Sequence, residues 1–597
     1  MYPLSTAPHT SPAWPWLVLV LAAAALYLLG LGSPYAPTNG DEMVYIHIAR
    51  MTGEVGHWLP LQSELLGTRN TKPPLLIWQA MVAGDWGHSW HLFALRLPSV
   101  AYTLATTALL AWFTRRISGQ WRTALIAAAL YLLFFSSFRY GRAYLTSAPE
   151  TFWLALPMWW VLHLRLRHVP RFLAAPDGPG WLAYTLFGVA MGLGAAYKSF
   201  ALLAPAAAAT WFALLLGTPW SWRAALRASI GLGWSTLLGL GIFALWFVLD
   251  PDPNAVWQEF VVAENAGKMS GGMGYWNAAL YGAYPMWTQL FAFAENAGLL
   301  ALPALGFCLL ALFRAVRPGT YARLQPAHWV LLAWLLVWLV VFTIPSQRSA
   351  RYVIPAMPAL AIAMALVWDR LPRLWFWLTL LVLAPALLML GRISWVMGEM
   401  GIASRPQIAM TLIAGGAGGV CIVAGFIHKH WPPNATLAAC LAVYASFGLM
   451  VAPLSGGNAD YSGAIQAQLK GQRVAVPNGF TGQYERFHFL LPGTRITPYD
   501  AEGRDTGALY PKLPDAQRLS RLLSEFDAVV WLQDELGSAP SCLPACTLIG
   551  QRWHVKSRHK NGEVTLENIW QPQDWLFRRE WLLAPTSTPV GQPTTAN

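Results

Sequence analysis

About thirteen apolar runs constrain this chain more than any other feature of its sequence. Each is roughly 17–25 residues long, the length an α-helix needs to cross the hydrocarbon core of a bilayer. Lys198 divides the stretch 181–217 into two of them. The runs lie at 13–32, 91–113, 123–138, 148–164, 181–197, 200–217, 228–249, 289–313, 327–345, 350–368, 372–390, 407–427 and 434–453. Only 11% of the residues are charged, so we expect a mainly α polytopic membrane protein.

Basic residues are distributed unevenly over the connecting loops. With the N-terminus inside, the cytoplasmic loops contain Arg115, Arg116, Arg122, Arg165, Arg167, Arg171, Arg223, Arg227, Arg314, Arg317, Arg323, Arg370, Arg373 and Lys429. The opposite short loops carry about half as many, as the positive-inside bias requires. This bias also accounts for the formal charge of +12, so nucleic acid is not a predicted partner.

Three long segments face outward in this orientation: 33–90, 250–288 and everything after about 454. The first two have the Trp, Gly and Pro content of helices that lie along a membrane surface. In the last, "GQRVAVPNGF" and "FDAVVWLQDE" have the pattern of short buried strands, and "LPDAQRLSRLLSEF" has helical periodicity. We therefore predict a transmembrane catalytic domain over 1–453, an extracytoplasmic α/β domain over 454–585 and a disordered tail over 586–597.

Asp41 and Glu42 are the first acids of the chain and follow the first apolar run directly. One interpretation is structural, because acids in the first turn of a helix complement its dipole. A functional interpretation needs cations nearby. Arg69 and Lys72 belong to the same outer segment, where the positive-inside bias does not call for them. With Asp41 they would form a site with a carboxylate and a phosphate clamp.

Further cations are predicted on the same outer face. "FRYGRAYLTSAP" supplies Arg139 and Arg142, "GAAYKSFALLAP" supplies Lys198, and "IPSQRSARYVIPAMPAL" supplies Arg348 and Arg351. Each could instead extend to lipid headgroups. Gathered beside a carboxylate, however, they favour a pocket for an anion, and a lipid-borne phosphate is the natural ligand.

Five motifs in order resemble glycosyltransferase family 39. They are "DEMVYIHIARMTGEVGHWLP", "TKPPLLIW", "GRAYLTSAP", "GLGAAYKSFALLAP" and "SARYVIPAMPALAIA". The family includes the aminoarabinose–lipid A transferases and the protein O-mannosyltransferases, which share the GT-C membrane fold. The resemblance covers about residues 13–370.

This resemblance implies a sugar donor carried on polyprenyl phosphate and an acceptor that approaches from outside. Asp41 would be the key acid, as a base or as a ligand of a divalent metal ion, with Glu42 beside it. The donor phosphate would be held by Arg69, Lys72, Arg142, Lys198, Arg348 and Arg351. The chain departs from the family pattern at Thr71 and Ser147, where many relatives have acids.

The departures remove negative charge, and Glu64, Glu150 and Glu485 are the candidates to replace it. The glycine-rich outer segment from Gly267 is either a mobile lid or a loop packed on the spans. Cys542 and Cys546 are expected to form a disulfide if the C-terminal part is extracytoplasmic.

The expected function is that of a bacterial inner-membrane glycosyltransferase with its active site and C-terminal domain in the periplasm. It would move one sugar to lipid A or another lipid or glycan acceptor of the envelope. Two alternatives stay open: transfer to protein Ser or Thr, and a flippase or transporter for lipid-linked sugar. The sequence does not specify the sugar, the acceptor, a metal requirement or the oligomeric state.

Overall fold

A computed structural model describes most of the chain. The described residues are 13–36, 40–65, 67–166, 174–175, 178–266, 275–317, 324–346, 348–455, 460–478, 482–501, 513–533, 540, 542, 546–556, 559 and 561–586. The predicted tail lies almost entirely outside them.

Within the described residues, seven helical stretches are long and apolar enough to cross a membrane. They are Leu92–Ser118, Trp222–Leu249, Met286–Ala315, Ala350–Arg370, Arg373–Glu399, Arg405–Ile427 and Pro432–Ser455. All seven overlap predicted spans, which confirms a mainly helical, multi-spanning membrane protein. The count of about thirteen spans stays a prediction, because the other apolar helices are shorter.

The α-helices follow one another through most of the chain. They are α1 Trp14–Leu26, α2 Gly40–Val55, α3 Pro74–Ala83, α4 Leu92–Ser118, α5 Trp121–Leu133, α6 Phe135–Tyr140, α7 Ser147–Arg165, α8 Trp181–Tyr197, α9 Leu203–Leu215, α10 Trp222–Leu249, α11 Pro253–Val256, α12 Tyr275–Tyr281, α13 Ala292–Ala297, α14 Ala301–Ala315, α15 Pro326–Val341, α16 Met357–Val367, α17 Arg373–Glu399, α18 Arg405–Ile427, α19 Pro432–Val451, α20 Gly463–Leu469, α21 Phe487–Leu490, α22 Asp515–Glu525 and α23 Pro572–Trp575.

Large apolar side chains cover the outside of the longest helices. Leu237 and Val248 on α10 are 67% and 77% exposed, and Ile413, Val420 and Ile427 on α18 are each at least 70% exposed. A soluble protein rarely leaves such surfaces open to water. Their exposure is the expected state of side chains that face lipid.

Small residues let two of these helices approach closely. A Cβ at Gly192 on α8 would lie 3.0 Å from the Cα of Gly239 on α10, and one at Gly188 would lie 2.8 Å from the Ser235 carbonyl oxygen. Small residues at such crossings are typical of helix packing in membranes.

The C-terminal part contains a five-stranded mixed sheet in the order β4-β3-β5-β7-β6. Its strands are β3 Arg473–Asn478, β4 Arg495–Asp500, β5 Ala528–Gln533, β6 Cys546–Val555 and β7 Phe577–Pro585, and a short hairpin, β1 Ala174–Ala175 with β2 Gly178–Pro179, lies between α7 and α8. Strands β4, β3 and β5 run parallel, and β7 is antiparallel to β5 and β6. Cys542 and Cys546 are joined by a disulfide.

A buried ionic contact joins the C-terminal part to the first outer segment. Nε of Arg50 on α2 donates to Glu485 Oε1 at 2.6 Å, and its Nη2 donates to Oε2 at 3.0 Å. His47 Nδ1 lies 3.1 Å from the same Glu485 Oε2, and its Nε2 accepts from the Glu64 amide. This Arg50–His47–Glu485 latch positions the C-terminal sheet beside α2.

Candidate functional site

Asp41 lies in the first turn of α2, and Oδ2 accepts a hydrogen bond of 2.9 Å from Nη1 of Arg351. Arg351 belongs to the 3₁₀ turn Ala350–Ala356 that precedes α16, where the Ser349 side chain accepts from its amide. The side chains are 42% and 31% exposed, so both can be reached by a ligand.

Asp41 lines an amphiphilic cavity of about 540 Å³. One wall is apolar and comes from α17 and α19, with Leu390, Met397 and Phe447 among its residues. The facing wall comes from the C-terminal part and includes Arg486. A cavity with these two walls matches a ligand with a lipid part and a polar head.

A second, mostly apolar cavity of about 760 Å³ adjoins the first. Both are lined by Tyr35, Leu390, Phe447 and Arg139, so the Arg139 side chain contacts both spaces. The guanidinium of Arg139 lies 5.4 Å from the ring centre of Tyr140. The guanidinium of Arg351 lies 4.9 Å from the same ring.

Two partly buried ammonium groups lie near the Asp41–Arg351 pair. Lys72 Nζ donates to Glu264 Oε1 at 2.8 Å, and Lys198 Nζ donates to Glu150 Oε1 at 2.9 Å. Both lysines line a cavity of about 320 Å³, together with Tyr352. Each cation therefore has a resident carboxylate, so its charge is already balanced.

Tyrosine rings connect the two lysines to the Asp41–Arg351 pair. Lys72 Nζ lies 5.8 Å from the Tyr45 ring centre, one helical turn after Asp41, and Lys198 Nζ lies 5.5 Å from that of Tyr352. Burial raises the pKa of Tyr45 well above its usual value, and the charge of Asp41 raises it further. The structure thus brings together Asp41, Lys72, Lys198 and Arg351 of the predicted residues.

Glu42 does not fit the catalytic role that the sequence predicts. Its side chain is fully buried, and both oxygens accept from Arg96, at 2.7 Å from Nε and 2.9 Å from Nη2. Oε1 also accepts from the Tyr144 amide. Arg96 in turn donates to the carbonyls of Leu31 and Ser33. This acid anchors α2 against α4.

Three of the predicted phosphate ligands contact other groups of the protein. Arg142 donates through Nη1 to the carbonyls of Leu26 and Leu29, although it also lines the 760 Å³ cavity. Arg348 donates to the carbonyls of Thr343 and Tyr284. Arg69 has its Nη2 at 3.6 Å from an oxygen of Asp252. These three arginines contact backbone carbonyls or the exposed Asp252, yet each also keeps a buried guanidinium nitrogen that has no hydrogen-bond partner among the described residues. Their phosphate-binding role therefore stays a prediction.

The polar wall of the 540 Å³ cavity is a network within the C-terminal part. Arg486 donates to Glu580 and, at 2.8 Å, to Nδ1 of His554. Burial lowers the pKa of His554 well below its usual value, and the charges of Arg486 and Arg552 add to the effect. His554 is therefore neutral, with its proton on Nε2.

The metal ion implied for Asp41 lacks a ligand set in the described part of the chain. No group of three or more His, Cys, Asp or Glu side chains is arranged there so that it could hold a metal ion. The partner of Asp41 is a guanidinium rather than a second carboxylate. We therefore derive no step through a metal.

The three candidate replacements for the missing family acids lie in different places. Glu150 pairs with Lys198, close to the site. Glu485 belongs to the latch, and Glu64 is exposed. Residues 267–274 of the predicted lid lie outside the described residues.

Sequence reasoning did not select two residues that the structure places at the site. Glu264 lies within the π-helical segment Trp257–Asn265 of the second outer segment, and only the fold brings it to Lys72. Arg139 is one of the predicted outer cations, but the sequence assigns the phosphate-binding role to the nearby Arg142. The rings of Phe135 and Tyr140 beside it were the available signal.

Long apolar helices surround a cavity that has charged and apolar walls. These features define a multi-spanning membrane protein with an amphiphilic site. The solved structure of ArnT from Cupriavidus metallidurans bound to undecaprenyl phosphate aligns with 97% of this chain and 100% of its own, with a TM-score of 0.59 and 16% identity. The chain therefore has the GT-C fold.

Sequence comparison gives the same relatives. The family model for dolichyl-phosphate-mannose-protein mannosyltransferases matches residues 36–257. The chain is 28% identical over 332 residues to an undecaprenyl phosphate-alpha-4-amino-4-deoxy-L-arabinose arabinosyl transferase of Sodalis glossinidius, covering 54% of each. It is 26% identical over 577 residues to the same-named protein of Pseudomonas aeruginosa, covering 92% of this chain and 97% of that one. The chain spans 54% and 58% of the length of the first two curated relatives.

Proposed function

We propose that this protein transfers one sugar from a polyprenyl-phosphate donor to lipid A or another envelope acceptor, at the outer face of the bacterial inner membrane. One observation carries the proposal: Asp41, paired with Arg351, lies where an amphiphilic cavity meets a cluster of cations. The names of the relatives support the donor class and this acceptor.

The cavities suit a lipid-linked donor. The apolar walls of the 760 Å³ cavity can accept part of a polyprenyl chain, and Arg139 lies where that cavity meets the one lined by Asp41. Arg351, Lys72 and Lys198 supply further positive charge close by. A diffuse cluster of preorganised cations in a water-poor site stabilises the negative charge that develops on a departing phosphate.

The reaction breaks the bond between the sugar's anomeric carbon and the phosphate oxygen, and the electron pair stays on the phosphate. The acceptor oxygen forms the new bond to that carbon. When the acceptor is a hydroxyl, Asp41 takes its proton, a contribution worth about 10²–10⁴-fold in rate. When the acceptor is itself a phosphate, no base is needed, and Asp41 orients the sugar instead.

The proposed orientation places Asp41 and the C-terminal sheet in the periplasm. It is supported by the Arg-rich connections at the opposite bundle end, where Arg122 in the first turn of α5 pairs with Asp369 in the 3₁₀ turn Trp368–Arg370. Labelling of single cysteines introduced at exposed Glu54 and exposed Lys429 with a membrane-impermeant reagent tests it. We expect reaction from the periplasmic side only at position 54.

Transfer to protein Ser or Thr is the second candidate, because the matching family model describes protein mannosyltransferases. Both candidates use the same donor chemistry at Asp41. They differ in the acceptor alone, so a competition between acceptors distinguishes them.

The deciding experiment uses purified protein in proteoliposomes with undecaprenyl-phosphate-linked sugars. Lipid A and a Ser/Thr-rich peptide are supplied as acceptors, with and without a chelator. We expect lipid A to gain the mass of one sugar, and Asp41→Asn, but not Asp369→Asn, to abolish the gain. Movement of the donor across the bilayer without transfer to either acceptor would support a flippase and contradict the proposal.

A further inference from the structure

A separate basic groove lies at the end of the helix bundle remote from Asp41. Its volume is about 660 Å³, and it is formed by the ends of α14 and α16 and the start of α15. Helix α14 begins just after Leu299, which lines the 760 Å³ cavity, and its 15 residues rise about 22 Å toward the groove. The groove and the Asp41 site are therefore distinct.

Three arginines line this groove: Arg314, Arg317 and Arg370. Across the described ranges of the chain, none of the three has a carboxylate within salt-bridge distance. The acid next to Arg370 in sequence is Asp369, which is bonded to Arg122, with 2.9 Å between Nη2 and Oδ1. The groove thus has an excess of positive charge that no acid of the described residues balances.

Apart from His328, the rest of the groove is apolar and follows the helices into the bundle. Its lining includes Phe307 and Leu310 on α14, Leu331 and Leu335 on α15, and Leu366 on α16. The positive-inside bias explains why arginines occur at this bundle end. It does not explain why three of them share one cavity with a continuous apolar floor.

We propose that this groove binds an anionic phospholipid of the surrounding bilayer, with its phosphate at the three arginines and an acyl chain along the apolar floor. Basic pockets between spanning helices on the cytoplasmic side are typical sites for such headgroups. In the orientation proposed above, the groove opens at the cytoplasmic leaflet. The site does not depend on glycosyl transfer, so it can be tested separately.

The test compares phosphatidylglycerol with phosphatidylcholine as additives to the full-length protein in detergent. Native mass spectrometry counts retained lipids, and thermal unfolding gives the stabilisation that a lipid bound to the folded state produces. We expect the unaltered protein to retain phosphatidylglycerol in preference to phosphatidylcholine. In the triple variant Arg314→Gln/Arg317→Gln/Arg370→Gln, the apparent affinity should fall by about 10-fold to 100-fold.

The matched control is Arg116→Gln/Arg223→Gln/Lys429→Gln, which removes the same charge from exposed positions outside the groove. It should bind phosphatidylglycerol like the unaltered protein. An equal loss in both triple variants would mean that net charge, not the groove, attracts the lipid, and would overturn the proposal. So would the absence of a phosphatidylglycerol preference in the unaltered protein, a result that does not depend on whether any variant folds.

Discussion

Nη1 of Arg351 lies 2.9 Å from Oδ2 of Asp41, and the fold brings these two side chains together across 310 positions of sequence. Both remain partly exposed at the cavity. An ion pair in such a setting contributes only about 0–1 kcal/mol to stability. The pair can therefore exchange partners with a ligand at little cost to the fold.

Asp41→Asn should reduce transfer strongly and leave the fold intact. We expect kcat to fall by about 100-fold or more if the acceptor is a hydroxyl, because the amide cannot take its proton. Thermal unfolding should match that of the unaltered protein. Asp369→Asn, which removes an acid from an exposed Asp–Arg pair remote from the cavity, is the control and should change neither quantity.

Glu42→Gln, at the position next to Asp41, should instead lower the stability of the protein. Removing one charge leaves the fully buried Arg96 without its partner, and breaking such a pair costs about 3–5 kcal/mol. The measurement is the free energy of unfolding in detergent. A stable Glu42→Gln protein without activity would show instead that this acid takes part in the reaction.

Lys72→Ala should raise the KM for the lipid-linked donor. The ammonium group lies between Glu264 and the Tyr45 ring at the edge of the 320 Å³ cavity. Arg69→Ala removes a cation three positions away that contacts only Asp252 at 3.6 Å among the ion pairs of the described residues. Equal effects of the two substitutions on KM would argue against a specific clamp.

Arg348→Ala should lower stability without changing the KM for the donor. The guanidinium holds the carbonyls of Thr343 and Tyr284 at 2.7 and 2.8 Å. A hydrogen bond from a charged donor contributes about 1.5–3 kcal/mol, and less at the exposed Tyr284, where water can replace the donor. Thermal unfolding and donor titration of the same preparation separate the two effects. A raised KM at unchanged stability would support binding of the donor phosphate by Arg348.

The latch should make the contact between α2 and the C-terminal part sensitive to acid. Burial raises the pKa of Glu485, but bonds and charges from His47, His488 and Arg50 outweigh it and lower the pKa from 4.5 to about 2. The unfolded chain therefore takes up this proton at higher pH than the folded protein does. The stabilisation is complete above pH 4.5 and is lost as the pH falls from 4.5 toward 2.

Hydrogen exchange of α2 and α21 across that pH interval measures the loss. In Glu485→Gln the local stability should be lower at neutral pH and depend less on pH in this interval. An unchanged profile in this variant would assign the acid sensitivity to another group.

Local sequence predicted much of the fold and only part of the site. Length and hydropathy located all seven span-length helices, since lipid-facing surfaces require long apolar runs. The pattern after residue 454 predicted strands at β3 and β5 and a helix at α22, because alternation and helical periodicity are local signals. Asp41, Lys72, Lys198 and Arg351 were predicted from charge on one face, and they do come together.

The remaining site residues depend on long-range pairing, which charge alone does not specify. Glu42 and Asp41 are neighbours, yet one faces Arg96 in the core and the other faces a cavity, because successive side chains on a helix point in different directions. Arg142 was preferred to Arg139, but it lies against carbonyls of the first span. No sequence pattern predicts which of two nearby arginines donates to the carbonyls at the end of a helix.

The resident carboxylates of Lys72 and Lys198 have a consequence for selectivity and turnover. An anion that binds these lysines replaces their ion pairs with Glu264 and Glu150. A weakly charged molecule competes poorly with these carboxylates. When the anion departs, the same two acids recapture the ammonium groups. The two lysines thus return to their original ion pairs after the anion leaves, and water is not needed to solvate their charges.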